Sequence, residues 1–149
     1  MNKKDKLLTW GCALLQGWSG INLLLSGLIV LLVTTGLSNS PLLAMVFSSA
    51  EVAAMPLKYI TALNTLTILY NSYAVAMSIT VWFMVKQALR NQEHWPFWVL
   101  LFTIGSVEIF AFVASAPFAQ VRWQVNVLLS LLYVGAMLAI GKSYYGKSK

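Results

Sequence analysis

The stretch that decides the fold is "FWVLLFTIGSVEIFAFVASAPF", residues 97–118, in which Glu108 is the single charged residue. A helix needs about 20 predominantly apolar residues to cross the hydrocarbon core of a bilayer. A helix that is apolar on every side belongs either in a large protein interior or in a membrane. Working outward, three more runs of this kind appear, and the four expected spans cover residues 10–35, 59–85, 95–117 and 123–141. Trp10, Tyr59, Trp95, Trp98, Trp123 and Tyr144 fall near their ends, where aromatic belts sit at a membrane interface. The expected architecture is therefore all-α: an integral membrane protein forming one domain over residues 1–149, with four transmembrane helices in an up-down bundle.

Composition supports this class. Of 149 residues, 59% are hydrophobic and only 9% are charged, where a soluble domain is typically about 25% charged. The net charge of +6 would suggest nucleic acid in a soluble protein. Here the basic residues sit mostly in short connections, and no basic patch with interleaved aromatics appears, so nucleic acid is set aside as a partner. With the N-terminus inside, Lys3, Lys4, Lys6, Lys86, Arg90, Lys142, Lys147 and Lys149 share one side, against Lys58 and Arg122 on the other. Positive residues mark the cytoplasmic side, so both termini are expected there. The lysines before the first apolar stretch resemble a signal peptide, but the stretch runs on to about Thr35, too long for a cleaved segment, and an uncleaved anchor is expected.

The first connection, "SNSPLLAMVFSSAEVAAMP", is longer than the other two. Ser40 before Pro41 is a good helix start and Pro56 a stop. A short interfacial helix is expected over residues 41–54, with Leu42, Met45 and Val46 toward lipid or bundle, and Glu51 is placed to pair with Lys58 at the surface.

Polar groups inside a span are costly, so their positions are informative. In the second span Asn64, Asn71 and Ser78 recur every seven residues, with Thr67 and Ala74 between them. That is one face of a helix, and Leu66, Leu69, Tyr73 and Ile79 lie away from it. Ser19, Asn22 and Ser26 share a face of the first span. Gly105, Glu108, Ala111 and Ser115 share one in the third, and Asn126, Ser130 and Tyr133 one in the fourth. Up-and-down threading sets Asn22, Asn71, Glu108 and Tyr133 at similar depth. A charged carboxylate at the bilayer centre costs about 2.5–3.5 kcal/mol on insertion scales. With no cation in any span, Glu108 is expected to keep its proton unless water reaches it. The candidate ligand-binding residues are Glu108, Asn71, Asn22, Tyr133 and Asn64. The asparagines and serines also have a plainer role as hydrogen-bonding glue between helices. Ala13, Gly20 and Gly27, at seven-residue steps, are expected to mark close helix packing.

Several chemistries are not expected. Cys12 is the one cysteine and His94 the one histidine, which leaves no internal disulfide, no thiol relay and no haem held by two histidines. No metal-ligand spacing, Gly-rich phosphate loop or nucleophile elbow occurs, so no cofactor, metal or catalytic residue is assigned. Glu93-His94 reads as a solvated turn. The turn "ALRNQEHWPFW", residues 88–98, resembles the basic-acidic-Trp turns between spans of small bacterial membrane proteins. That resemblance implies no activity, and the expected location is the bacterial inner membrane.

Three functions fit these residues. The first is a non-enzymatic protein with a mid-membrane polar pocket at Glu108, binding or helping to move a lipophilic small molecule. The second is an accessory subunit of a larger membrane complex. The third is an intramembrane enzyme on a lipid-like substrate, with Glu108 as acid-base, for which the catalytic kit is thin. The partners to consider are the bilayer, a lipophilic small molecule, and a second copy of the chain or another membrane protein.

Overall fold

A computed structural model describes residues 3–89, 91–115 and 123–146. The expected end of the third span at Pro117, the connection after it, Arg90, Arg122, Lys147 and Lys149 lie outside the described residues, as do the side chains of Lys3, Ala111, Ser115 and Trp123. Among the described residues all the regular secondary structure is helical, with no strand. The elements are α1 (Lys3–Thr34), α2 (Pro41–Val46), α3 (Ser49–Ala54), α4 (Leu57–Met84) with a π-helical turn (Val85–Leu89), α5 (Trp95–Ser115) and α6 (Trp123–Tyr145). Three helices, over Lys4–Thr34, Leu57–Gln87 and Asn126–Tyr145, are long and apolar enough to cross a membrane, and α5 adds a shorter apolar run, Trp95–Phe110. At 1.5 Å per residue, the 21 residues of α5 extend about 31 Å.

The chain divides into two compact units: residues up to Gly20 with those from Ile79 onward, and Ile21–Ser78. In the first unit, α6 runs antiparallel to both α1 and α5. Along α1 the pairs are Ser143 with the Lys4 carbonyl, at 2.9 Å, then Ile140 and Ala136 with Gly11, then Gly135 with Leu14. Along α5 they are Gly141 with Phe97 and Tyr133 with Gly105. Leu8, Cys12 and Leu15 of α1 are buried one turn apart, as are Tyr133, Ala136 and Ile140 of α6. This is the spacing that puts side chains on one face.

Gly11 is where α1 and α6 come closest. A Cβ there would lie 2.5 Å from Ile140 Cγ1 and 3.0 Å from the Ala136 carbonyl oxygen. At Gly20 and Gly27, expected from their spacing to mark such contact, an added Cβ would meet nothing within 4 Å among the described residues. Their seven-residue step was a pattern without a partner, and the glycine one helix turn and a half from the N-terminal lysines does the packing instead.

The second unit shows the polar stripe of α4 turned inward. Thr67, Asn71 and Ser78 are buried, whereas Leu66, Leu69, Tyr73 and Ile79 are exposed, as the spacing predicts. At the end of α1, Gly36 takes a left-handed φ of 71°. There the amides of Thr35 and Ser38 reach back to the carbonyls of Leu31 and Leu32, which satisfies the last turn. Ser40 then ties the connection to α4. Its amide donates to Asn64 Oδ1 at 2.7 Å, and its hydroxyl shares a hydrogen bond with Thr67 Oγ1.

The segment expected as one short helix is two, broken between Phe47 and Ser48. Ser48 caps α3: its hydroxyl accepts from the Glu51 amide while its own amide donates to the Glu51 carboxylate. This reciprocal pattern satisfies two otherwise orphaned donors and starts a new helix. It also redirects Glu51. In place of a pair with Lys58, the carboxylate accepts from Ser48, and the Lys58 ammonium sits 5.1 Å from the centre of the Tyr59 ring. In α2 the buried residue is Leu43, while Leu42 and Val46 are exposed.

Two outcomes are expected. Gly11→Val should lower stability in detergent by about 1–3 kcal/mol through overpacking, whereas Gly20→Ala should raise it by about 0.5–1 kcal/mol through helix propensity. Equal melting shifts would overturn this account of α1. The hydrogen bonds from the Ser48 hydroxyl and amide hold the Glu51 carboxyl below its ordinary range. The folded value lies below the unfolded one, so its contribution is present above the unfolded pKa and is lost as pH falls through the folded one. The protection factor of the Ser48 amide, its exchange corrected for the intrinsic pH dependence, should therefore fall on acidification through the carboxylate range. In Glu51→Gln that pH dependence should vanish.

Candidate functional site

Glu108 projects from the middle of α5 and is the one acid on that helix. It is half-buried. The Trp18 indole N–H of α1 donates to Oε1 at 3.0 Å, and the Ser130 hydroxyl of α6 donates to Oε2 at 2.6 Å. Three helices thus meet on one carboxyl group. Trp18 is 4% exposed, and a buried indole N–H needs an acceptor. The Glu108 carboxylate supplies it.

Tyr133, also 4% exposed, lies one turn along α6 from Ser130. Its ring packs at 6.2 Å from that of Trp18 and lies across Gly105, where an added Cβ would be 3.2 Å from the hydroxyl. That hydroxyl does not bond to Glu108. It donates to the Leu100 carbonyl at 3.0 Å, with the Leu101 carbonyl at 3.4 Å. A Cβ at position 105 would require the hydroxyl to give way by a few tenths of an ångström.

These groups line a groove of about 600 Å³ between α5 and α6. Its walls are mainly apolar, formed by residues such as Leu101, Phe102, Ile109, Val113 and Val134, with Glu108, Ser106, Ser130 and Tyr133 as the polar members. Pockets of about 300–1,000 Å³ are the usual size for small-molecule sites.

Of the residues singled out by sequence, Glu108 and Tyr133 therefore share one groove. The other three belong to the second unit. Asn71 donates to the Thr67 carbonyl of its own helix at 2.8 Å. Asn64 accepts from the Ser40 amide and donates to Asn39 Oδ1. Asn22 is half-buried on α1 and also has a partner. Trp18 was not singled out by the spacing of polar residues, because tryptophan reads as apolar. The available signal was position: Trp18 falls inside a span, away from the interfacial ends where Trp10, Trp95 and Trp98 lie.

Comparison with known protein families, characterised proteins and solved structures gives no match.

At the end of α6, a second cluster gathers the π-helical turn, the turn before α5 and the last residues of α6. His94 stacks on Tyr144 at 4.4 Å and meets Tyr145 edge-on. The Tyr144 hydroxyl donates to the carbonyls of Leu89 and Glu93. Glu93-His94 is thus an exposed turn packed against α6. Among the described residues no group of three or more His, Cys, Asp or Glu could hold a metal ion.

If the Tyr133 ring is the joint of these helices, truncation and hydroxyl removal should differ sharply. Tyr133→Phe should cost about 0.5–1.5 kcal/mol for one hydrogen bond, and Tyr133→Ala about 3–5 kcal/mol for the emptied core volume. Thermal melts of the purified variants would read both. Similar losses would mean that the ring carries little of the packing.

Proposed function

We propose that the chain is a multi-pass protein of the bacterial cytoplasmic (inner) membrane. In this reading four helices span in an up-down bundle with both termini in the cytoplasm, and the Glu108 groove binds, or helps to move, a lipophilic small molecule. The observation that carries the reading is a single carboxyl group, fixed by two donors, in the wall of a mainly apolar groove midway along a helix. Ionisable groups at such depth are functional candidates by default.

Membrane residence is supported by what the helices leave exposed. Leu24, Phe110 and Leu138 are all about 70% exposed, and each sits in a long apolar helix, a state water would penalise. Orientation is supported by one end of the first unit. The bonds of Ser143 to Lys4 and of Tyr144 to Leu89 and Glu93 draw three segments together there. Those segments carry Lys4, Lys6, Lys86 and Lys142, the charges that mark a cytoplasmic face.

Two measurements test this. In a Cys12→Ser background, an impermeant thiol reagent added to intact cells should label Ser49→Cys and leave Lys6→Cys unlabelled; the reverse pattern would overturn the orientation. In detergent, wild type should gain thermal stability from at least one compound in a panel of lipophilic alcohols, acids, amines and sterols. A ligand at 100-fold excess over its Kd contributes about 2.7 kcal/mol, and Glu108→Gln should lose most of that gain. If no compound shifts wild type, the binding reading falls and an accessory subunit of a larger membrane complex takes its place.

A further inference from the structure

We infer that the molecule taken by the Glu108 groove is an amphiphilic amine: an apolar body carrying one protonated nitrogen with at least one N–H. This rests on the reading of the groove as a binding site and narrows it to a ligand class.

The argument is an account of donors and acceptors in the wall. Each hydroxyl that lines the groove is already committed to the protein. Ser130 donates to Glu108, Tyr133 to the Leu100 carbonyl, and Ser106 to the Thr103 carbonyl at 2.9 Å. Among the described residues no lysine, arginine or histidine lines it. The described wall therefore has no side-chain proton left to offer a ligand.

What remains is acceptor capacity. A carboxylate has roughly four lone-pair positions, and here Trp18 and Ser130 occupy one on each oxygen. Both partners donate, so both hold the group as an acceptor. A ligand whose polar end only accepts, such as an ester, a phosphate or a carboxylate, would meet no donor and, if anionic, an opposing charge. A ligand whose polar end donates meets an oriented carboxylate. An alcohol could give one neutral bond. A protonated amine gives a charge-assisted bond to the half-buried group, about twice as strong. The remaining walls, Leu101, Phe102, Ile109, Val113 and Val134, suit a hydrocarbon body.

The test uses full-length protein in nanodiscs of zwitterionic lipid and four probes with the same twelve-carbon chain: dodecylamine, dodecyltrimethylammonium, dodecanol and dodecanoic acid. On wild type, dodecylamine should bind at least about ten-fold more tightly than dodecanol, the equivalent of about 1.4 kcal/mol. Dodecyltrimethylammonium, which has the charge without an N–H, should fall below dodecylamine, and dodecanoic acid should be weakest. Glu108→Gln should bind dodecylamine no more tightly than dodecanol, and a cooperative thermal melt without probe reports that the variant is folded. If that variant fails to fold, the ranking of the four probes on wild type decides alone. Dodecanol or dodecanoic acid binding as tightly as dodecylamine would overturn the amine assignment while leaving the groove a binding site. No binding of any probe would overturn the binding reading itself.

Discussion

Tyr133 is the joint on which the larger unit depends. Its ring fills the space between Trp18 of α1 and Gly105 of α5, and its hydroxyl satisfies itself on the α5 backbone. Three neighbours on α6 follow from that placement. Ser130, one turn before it, comes level with Glu108, and Ala136 and Ile140, one and two turns after it, come level with Gly11. A tyrosine serves here where phenylalanine would not, because the ring supplies bulk and the hydroxyl fixes rotation. The hydroxyl is also kept away from the acid next to it, so Glu108 is left to Trp18 and Ser130.

The elements themselves were legible. Long apolar runs, Gly36 after the first helix, and Ser40-Pro41 each state a local rule that the chain obeys. The inward face of α4 could be read from Asn64, Thr67, Asn71 and Ser78, because helical periodicity needs no knowledge of a partner. What could not be read was anything requiring the identity of the facing helix. Gly11, Gly20 and Gly27 look alike in sequence, yet only Gly11 meets another backbone. Trp18 counts as apolar until an acceptor is known to lie opposite its N–H. The break at Ser48 was legible in principle from Ser48 and Glu51, three residues apart, but Pro41 and Pro56 framed the segment as one helix and drew attention from its middle.

The candidate site divides the same way. That Glu108 demanded an explanation followed from its surroundings alone. That its companions are a tryptophan and a serine, with Asn64 and Asn71 held in bonds of their own unit, required three-dimensional neighbours. Depth along a helix placed Tyr133 within one turn of the right level. Helix rotation decided which of Ser130 and Tyr133 would touch the acid, and rotation depends on packing that no single helix encodes.

The walls of the groove have one more consequence. Phe102, Ile109 and Val113 are each more than 60% exposed on the outside of α5, so the groove opens sideways and not along the axis of the helices. In the proposed bilayer its mouth lies among lipid tails. The concentration that governs occupancy is then the concentration dissolved in the hydrocarbon, set by partition from water. Two compounds with equal contacts in the groove would differ in apparent potency by the ratio of their partition coefficients, and diluting the protein in more lipid at fixed total ligand would weaken binding as surely as adding water does for a soluble receptor.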